Sequence, residues 1–232
     1  MTPLLSIVIP TRNERDNIAL LLQRLQQELA GLSGTYEIIV VDDLSPDGTA
    51  AVVRQHMQQD AAVQLLSRSG AQGLSGALAA GFDAAQGDFV LAMDADLQHE
   101  PAAVQPMLVL AQQAGADVVV ATRYAAGGAI AGWPCWRQLL SRAATALARW
   151  RLSSSCSDPL SGFFLLRRST WRQCRAQLQP DGFKLLLDIL QRAPGLRIAE
   201  TGYCFAPRHR GNSKFGLAAI VAFLRSVWRG NT

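Results

Sequence analysis

Apolar residues recur along the chain in two rhythms. Short continuous runs at residues 4–9 (LLSIVI), 36–41 (YEIIVV), 62–66 (AVQLL), 89–93 (FVLAM) and 117–121 (DVVVA) have strand length. They are rich in branched side chains, which suit a buried pleated strand. Between them lie stretches with helical spacing at about 14–29, 49–58 and 74–85, and another between residues 93 and 117. Strands alternating with helices of this length predict an α/β fold, a Rossmann-like and mainly parallel sheet flanked by helices. Ligands of such sheets bind at the carboxyl ends of the strands. The polar clusters fall there: residues 10–14, 42–48, 94–98 and Arg123.

The second half is less regular. Residues 133–152 read as a helix with apolar positions at Trp136, Leu139, Leu140, Ala143, Leu147 and Trp150. A short strand is predicted at 162–166, a helix at 183–191, a strand at 197–200 and an amphipathic helix at 215–228. The apolar run 215–224 falls short of the roughly 20 residues that span a bilayer, so any membrane contact is expected to be peripheral. No repeat, low-complexity tract or linker interrupts the chain, and a single domain over residues 1–232 is expected.

Composition narrows the field. With 49% hydrophobic and 17% charged residues, a packed core is expected and bulk disorder is excluded. The net charge of +4 is mild, and the arginines of the second half spread from Arg123 to Arg229 without the dense cluster of a nucleic-acid binder. That spread suits an anionic ligand or a membrane surface. The four cysteines, Cys135, Cys156, Cys174 and Cys204, show no CxxC spacing, so neither a zinc site nor a redox pair is signalled. With no secretory signal read at the start, reduced thiols in a cytoplasmic protein are expected.

Four constellations carry candidate chemistry. Asp94-Ala95-Asp96 follows a strand directly, and in extended backbone Asp94, Asp96 and Gln98 point the same way. Two carboxylates and an amide oxygen suit Mg²⁺ or Mn²⁺ beside a diphosphate, although solvated turn aspartates would read the same. In the stretch from Val41 to Gly48, Asp43 is expected to touch a nucleotide and Asp47 to hold the turn. In Pro10-Thr11-Arg12-Asn13-Glu14, Asn13 is placed to cap the next helix, with or without a ligand contact. The fourth group is cationic: Arg123, then Arg137 and Ser141 four apart on one helix face, then Arg208 and Lys214 in RHRGNSK.

The motifs PTRNE, IVVDDLSPDGT, GLSGALAAGF, MDADLQHEP, TRYAAGG, WPCWRQLLSR, DPLSGFF, DGFKLLLDIL and RHRGNSK follow one another in an order that resembles dolichyl-phosphate mannose synthases. These are inverting family 2 glycosyltransferases with a GT-A fold, and the likeness runs from about Ser6 to Lys214. The resemblance implies transfer of a hexose, with mannose from GDP-mannose favoured, onto a polyprenyl phosphate. It implies a nucleotide-sugar-binding half over residues 1–122, an acceptor and phosphate half over 123–214, and a membrane-interface helix over 215–232. Pro10, Arg12, Glu14, Val41 and Asp43 would surround the nucleotide. Asp94, Ala95, Asp96 and Gln98 would hold ribose, diphosphate and metal. Arg123, Arg137 and Ser141 would receive the lipid phosphate, with Arg208 and Lys214 closing over the phosphates. Arg12 stands where the family usually carries an aromatic residue, which bears on the stacking contact and on base preference.

A phosphate nucleophile needs no general base, and none of the three histidines, His56, His99 and His209, sits in an evident catalytic arrangement. The expected reaction is an in-line displacement with inversion, in which Asp96, Arg123, Arg137 and Lys214 act on charge. The enzyme would then sit on the cytoplasmic face of a membrane, with Trp133, Trp136, Trp150 and residues 215–228 at the interface. Three rivals stay open: a UDP-sugar donor, a hydroxyl acceptor with Asp158 or Asp188 as base, and a regulator that binds nucleotide without catalysis.

Overall fold

The protein is described by a computed structural model over residues 2–69, 73–152, 155–178, 184–207 and 209–210. In chain order the first half runs β1 (Leu5–Thr11), α1 (Arg15–Leu29), β2 (Tyr36–Asp42), α2 (Thr49–Met57), β3 (Val63–Ser67), α3 (Gly73–Ala84), β4 (Phe89–Ala92), α4 (Val104–Gln113) and β5 (Val118–Thr122). There follow β6 (Ala129–Ile130), α5 (Cys135–Leu152), β7 (Phe164–Arg167), α6 (Arg168–Cys174), α7 (Leu185–Arg192), β8 (Ile198–Gly202) and β9 (Cys204–Phe205). The main sheet has the order β3-β2-β1-β4-β7-β5-β8, and β6 pairs with β9 in a small second sheet.

Alternation along the strands divides the core into two layers. Ile7, Ile9, Ile38, Val40, Leu91 and Met93 face α1 and α4, where Leu21, Leu22, Leu25 and Met107 meet them. Val8, Ile39, Val41, Val90 and Ala92 face the other way, toward Phe82 of α3, Trp171 of α6 and Leu186 of α7. On α1, Ile18, Leu21, Leu22, Leu25 and Leu29 follow helical spacing and are all buried. Gly81 lets α3 lie close on the sheet, because a side chain there would overlap Val8 and Val41.

The parallel sheet of the sequence reading is present, with one strand reversed. β7 runs antiparallel to both β4 and β5, between which it is inserted. Its range is Phe164–Arg167 rather than 162–166, and the strand expected at 197–200 is Ile198–Gly202. The helix read as 133–152 begins at Cys135, after Pro134. Its apolar stripe is not core: Trp136 is 65% exposed, Leu139 70% and Trp150 72%, while only Thr145 and Ala148 are buried. The predicted helix at 215–228 lies outside the described residues.

Candidate active site

The carboxyl ends of β1, β2 and β4 form one edge, and each is followed by a non-glycine residue in left-handed backbone: Asn13 (φ 60), Leu44 (φ 48) and Leu97 (φ 63). Such conformations are costly for ordinary residues and gather where loops are tightly determined. Here hydrogen bonds hold them. Thr11 Oγ1 donates to Asp42 Oδ1 at 3.0 Å, and Asp42 Oδ2 accepts the Ser45 amide at 3.0 Å. The Asn13 amide donates to Ser45 Oγ at 2.9 Å, and the Glu14 amide donates to Thr49 Oγ1 at 3.0 Å. Asp47 accepts from the Thr49 amide (3.0 Å), Thr49 Oγ1 (2.6 Å) and the Arg15 amide (3.1 Å). Burial works against its charge, but these bonds outweigh it and hold the Asp47 carboxyl below the usual range. Asp47 thus braces the turn, as its sequence context suggested.

Asn13 does not cap α1. Glu14 occupies the N-cap position without a side-chain cap bond, and Asn13 sits one residue earlier. Val41 and Ala95 have buried side chains, so a ligand would meet their backbone only. Arg12 is exposed at the rim. Asp43 is nearly buried, and its Oδ1 lies 3.5 Å from Arg68 Nη1 without accepting a hydrogen bond. That oxygen is an acceptor left for a ligand N–H or O–H.

At the end of β4, Asp96 is buried and its Oδ1 accepts the Gln98 amide at 3.1 Å. Gln98 Nε2 donates to the Ala206 carbonyl at 3.0 Å, and the His209 amide donates to the Asp96 carbonyl at 3.3 Å. The segment leading into RHRGNSK therefore runs along the acidic turn, while Arg208 and Lys214 lie outside the described residues. Asn17 Nδ2 also reaches the Arg210 carbonyl at 3.2 Å.

Behind the acidic turn sits His99, 2% exposed and stacked on Phe163 with ring centroids 4.9 Å apart. Its Nδ1 accepts the Asp94 amide at 3.0 Å, which assigns the proton to Nε2, 3.7 Å from Asp94 Oδ2. Burial, with the positive charges of Lys184 and Arg123, pushes its pKa down to about 3, so the ring is neutral. Gly162 leaves room beside it, since a Cβ there would lie 3.4 Å from Asp94 Oδ2 and 3.6 Å from Lys184 Nζ. Burial lowers the pKa of Lys184, against the pull of Asp94.

Arg123 forms a bidentate pair with Asp158, Nε to Oδ2 at 2.7 Å and Nη2 to Oδ1 at 2.9 Å. Burial opposes its charge, but the hydrogen bonds and charge of Asp158 outweigh that and raise its pKa. Its guanidinium carbon lies 6.0 Å from the centroid of the Trp133 ring, and that of Arg137 lies 4.1 Å from it. Ser141 Oγ and Tyr124 OH share a hydrogen bond of 2.7 Å, and Tyr124 is itself stacked near Arg123. Trp133 and Tyr124 thus gather Arg123, Arg137 and Ser141 into one cationic wall.

Three residues here carried no role in the sequence reading or a different one. Lys184 is one of only two lysines in a chain otherwise supplied with arginine, which was a usable signal. Arg68 follows β3 as the other clusters follow their strands. Asp158, considered as a base, is instead the counter-ion of Arg123.

A mostly parallel sheet with an acidic turn after β4, facing a cationic wall, defines the class: a glycosyltransferase of the GT-A fold. The chain matches the description "Glycosyl transferase family 2" over residues 6–173 and belongs to that family. It is 39% identical over 226 residues to a dolichol-phosphate mannosyltransferase of Pyrococcus furiosus, covering 97% of this chain and 62% of that protein. It is 35% identical to the dolichol-phosphate mannosyltransferase of Mycosarcoma maydis, covering 97% of this chain and 78% of that one. Among solved structures, mannosyl-3-phosphoglycerate synthase from Rubrobacter xylanophilus superposes with a TM-score of 0.69 at 20% identity, covering 98% of this chain and 73% of that one. Glucosyl-3-phosphoglycerate synthase from Mycobacterium tuberculosis, crystallised with Mn²⁺, UDP-glucose and phosphoglyceric acid, gives 0.68 at 20% identity, covering 97% and 80%.

Proposed function

We propose that the chain transfers a hexose, mannose from GDP-mannose, to a polyprenyl phosphate with inversion, the lipid phosphate being the nucleophile. The observation that carries this reading is the pairing of the acidic turn at Asp94 and Asp96 with a wall of guanidinium groups and a neutral imidazole. A hydroxyl acceptor calls for a carboxylate or imidazole able to take its proton. His99 already accepts a hydrogen bond at Nδ1, Asp158 is bound on both oxygens by Arg123, and Asp188 is paired with Arg192 at 2.7 Å. An anionic phosphate needs positioning instead, which Arg123, Arg137 and Ser141 supply. The dolichol-phosphate mannosyltransferase relatives support the same acceptor.

Residues 1–122 form the donor half of this reading, with Pro10, Arg12, Glu14 and the backbone of Val41 around the nucleotide and Asp43 accepting from it. Residues 123–214 form the acceptor half. Asp94, Asp96 and Gln98 fit a hard divalent cation, because two carboxylates and an amide leave positions for donor phosphate oxygens. Mg²⁺ or Mn²⁺ there would supply charge neutralisation for the leaving diphosphate. Lys184 adds positive charge beside Asp94, and Arg208 and Lys214, outside the described residues, keep the phosphate-closing role that the resemblance implies. The exposed Trp136, Leu139 and Trp150 of α5, interleaved with Arg137, Arg142 and Arg149, suit the cytoplasmic face of a membrane, as does the segment 215–232. Among the described residues no helix is long and apolar enough to cross a bilayer.

The test is transfer from radiolabelled GDP-mannose, then UDP-glucose, to a polyprenyl phosphate in detergent with Mg²⁺ or Mn²⁺. A chloroform-soluble labelled product from GDP-mannose is expected. Label in a soluble saccharide, with none in the lipid, would replace this reading by a hydroxyl acceptor.

A further inference from the structure

Glu200 of β8 belongs to neither the donor nor the acceptor residues proposed above, yet its carboxylate gathers three hydrogens. Its Oε1 accepts the Ser157 amide at 2.7 Å and the Ser157 hydroxyl at 2.9 Å. The thiol of buried Cys156 donates to the same carboxylate. Burial first, and then the Glu200 charge, push that thiol up to about 12, so it keeps the proton it donates.

These bonds hold the approach to Arg123. Ser157 Oγ lies 2.6 Å from Thr122 Oγ1, and Thr122 is fully buried at the end of β5. Because the Ser157 hydroxyl donates to Glu200, the Thr122 hydroxyl donates to Ser157. Thr122 Oγ1 in turn accepts the Tyr124 amide at 3.1 Å. One directed chain therefore runs from the Tyr124 amide through Thr122 and Ser157 to Glu200, and Arg123 sits between its first two members. Asp158 follows Ser157 directly and takes Arg123 Nε and Nη2 at 2.7 and 2.9 Å, which leaves Nη1 of the planar fork for a phosphate. The far end of the Asp158 turn is pinned too. The Ser161 amide donates to the Asp158 carbonyl at 3.0 Å, and Ser161 Oγ donates to the Ala121 carbonyl at 2.8 Å.

We infer that Glu200 is a positioning residue for the acceptor phosphate: it sets Ser157 and Asp158 against the end of β5 and so aims the Arg123 guanidinium, a role that rests on Arg123 receiving that phosphate as proposed above. Glu200 itself touches no reactant.

The experiment is steady-state transfer by the full chain, with donor and acceptor varied separately, in wild type, Glu200→Gln, Ser157→Ala, Arg123→Lys and the Glu200→Gln/Arg123→Lys pair. Glu200→Gln keeps the shape and removes the charge that draws the three hydrogens. The acceptor KM should rise about threefold to tenfold while the donor KM stays within about 1.5-fold. Ser157→Ala breaks the chain but keeps the main-chain bond, and should raise the acceptor KM about threefold. In the Arg123→Lys background, Glu200→Gln should add less than about twofold, because it acts through the guanidinium. Thermal unfolding accompanies each variant; if Glu200→Gln does not fold, Ser157→Ala, alone and combined with Arg123→Lys, carries the test. Donor and acceptor KM rising together would make Glu200 a merely structural residue and overturn the inference, as would an undiminished effect in the Arg123→Lys background. If Arg123→Lys leaves the acceptor KM unchanged, the acceptor reading itself falls and the role of Glu200 falls with it. If Arg123→Lys raises the acceptor KM and Glu200→Gln does not, only the positioning role is lost.

Discussion

The strand-end turns and the cationic wall, proposed to serve donor and acceptor respectively, are built by opposite means. At the ends of β1, β2 and β4, buried strands deliver their polar residues into turns fixed by short hydrogen bonds, and Asp42, Asp47 and Asp96 are each held by neighbouring amides. On the other side, Arg123 and Arg137 are placed by aromatic faces and by a counter-ion 35 residues away, on or beside a helix whose apolar groups face outward. The first arrangement fixes geometry and so suits the reacting diphosphate. The second would suit the long lipid acceptor of the proposed reaction. The contrast teaches that charge at the donor edge is a matter of position, and at the acceptor wall one of number and access.

The largest break in that contrast comes from Asp96→Asn, which keeps shape and removes charge. Transfer should fall about 1,000-fold with the fold intact, read as kcat at saturating donor beside an unchanged thermal midpoint. Loss below tenfold would remove Asp96 from the reacting centre. Next comes Asp158→Asn, which leaves Arg123 buried without its partner. Side chains here are 0% and 10% exposed, so stability should drop by about 3–5 kcal/mol in urea unfolding. A loss of activity without a loss of stability would instead revive Asp158 as a base.

His99 separates the two regions by pH. Its folded pKa of about 3 lies below the unfolded value near 6.5, so the unfolded chain takes up the proton first as pH falls. The stability from keeping the ring neutral is complete above about pH 6.5 and is lost progressively toward pH 3, by about 1.4 kcal/mol per unit. Urea midpoints between pH 7 and 5 should show this slope, and His99→Asn should flatten it. An unchanged slope in the variant would place the effect elsewhere.

The two regions were unequally legible in the sequence. LLSIVI, YEIIVV and FVLAM announced their strands because buried parallel strands are continuously apolar, and the carboxylates directly after them could be placed on the edge. The direction of β7 could not be read, since alternation carries no sense of direction. β6 and β9, two residues each, are too short for any period. The helix at α5 was plain, but periodicity does not tell an inward stripe from an outward one, and tertiary packing left Leu139 exposed. Asp158 with Arg123, and Lys184 with Asp94, are joined only by the fold, so their pairing had no local signal.

On the acceptor side, Arg137→Ala sharpens the contrast directly. The acceptor KM should rise about tenfold while the donor KM holds, because the guanidinium lies 4.1 Å over the half-buried Trp133 ring in the cationic wall, away from the strand-end turns. Equal loss for donor and acceptor would merge the two regions into one site.

The smallest effect on the fold is expected at Leu139→Gln. This side chain is 70% exposed on α5, so removing its apolar surface should alter stability by no more than about 0.5 kcal/mol. If the exposed stripe meets a bilayer, flotation with anionic vesicles should nevertheless weaken severalfold, since each buried leucine contributes about 1.5–3 kcal/mol when fully removed from water. Unchanged flotation alongside unchanged stability would mean that the α5 stripe neither packs within the chain nor touches the membrane, and the access argument for the acceptor wall would then rest on the arginines alone.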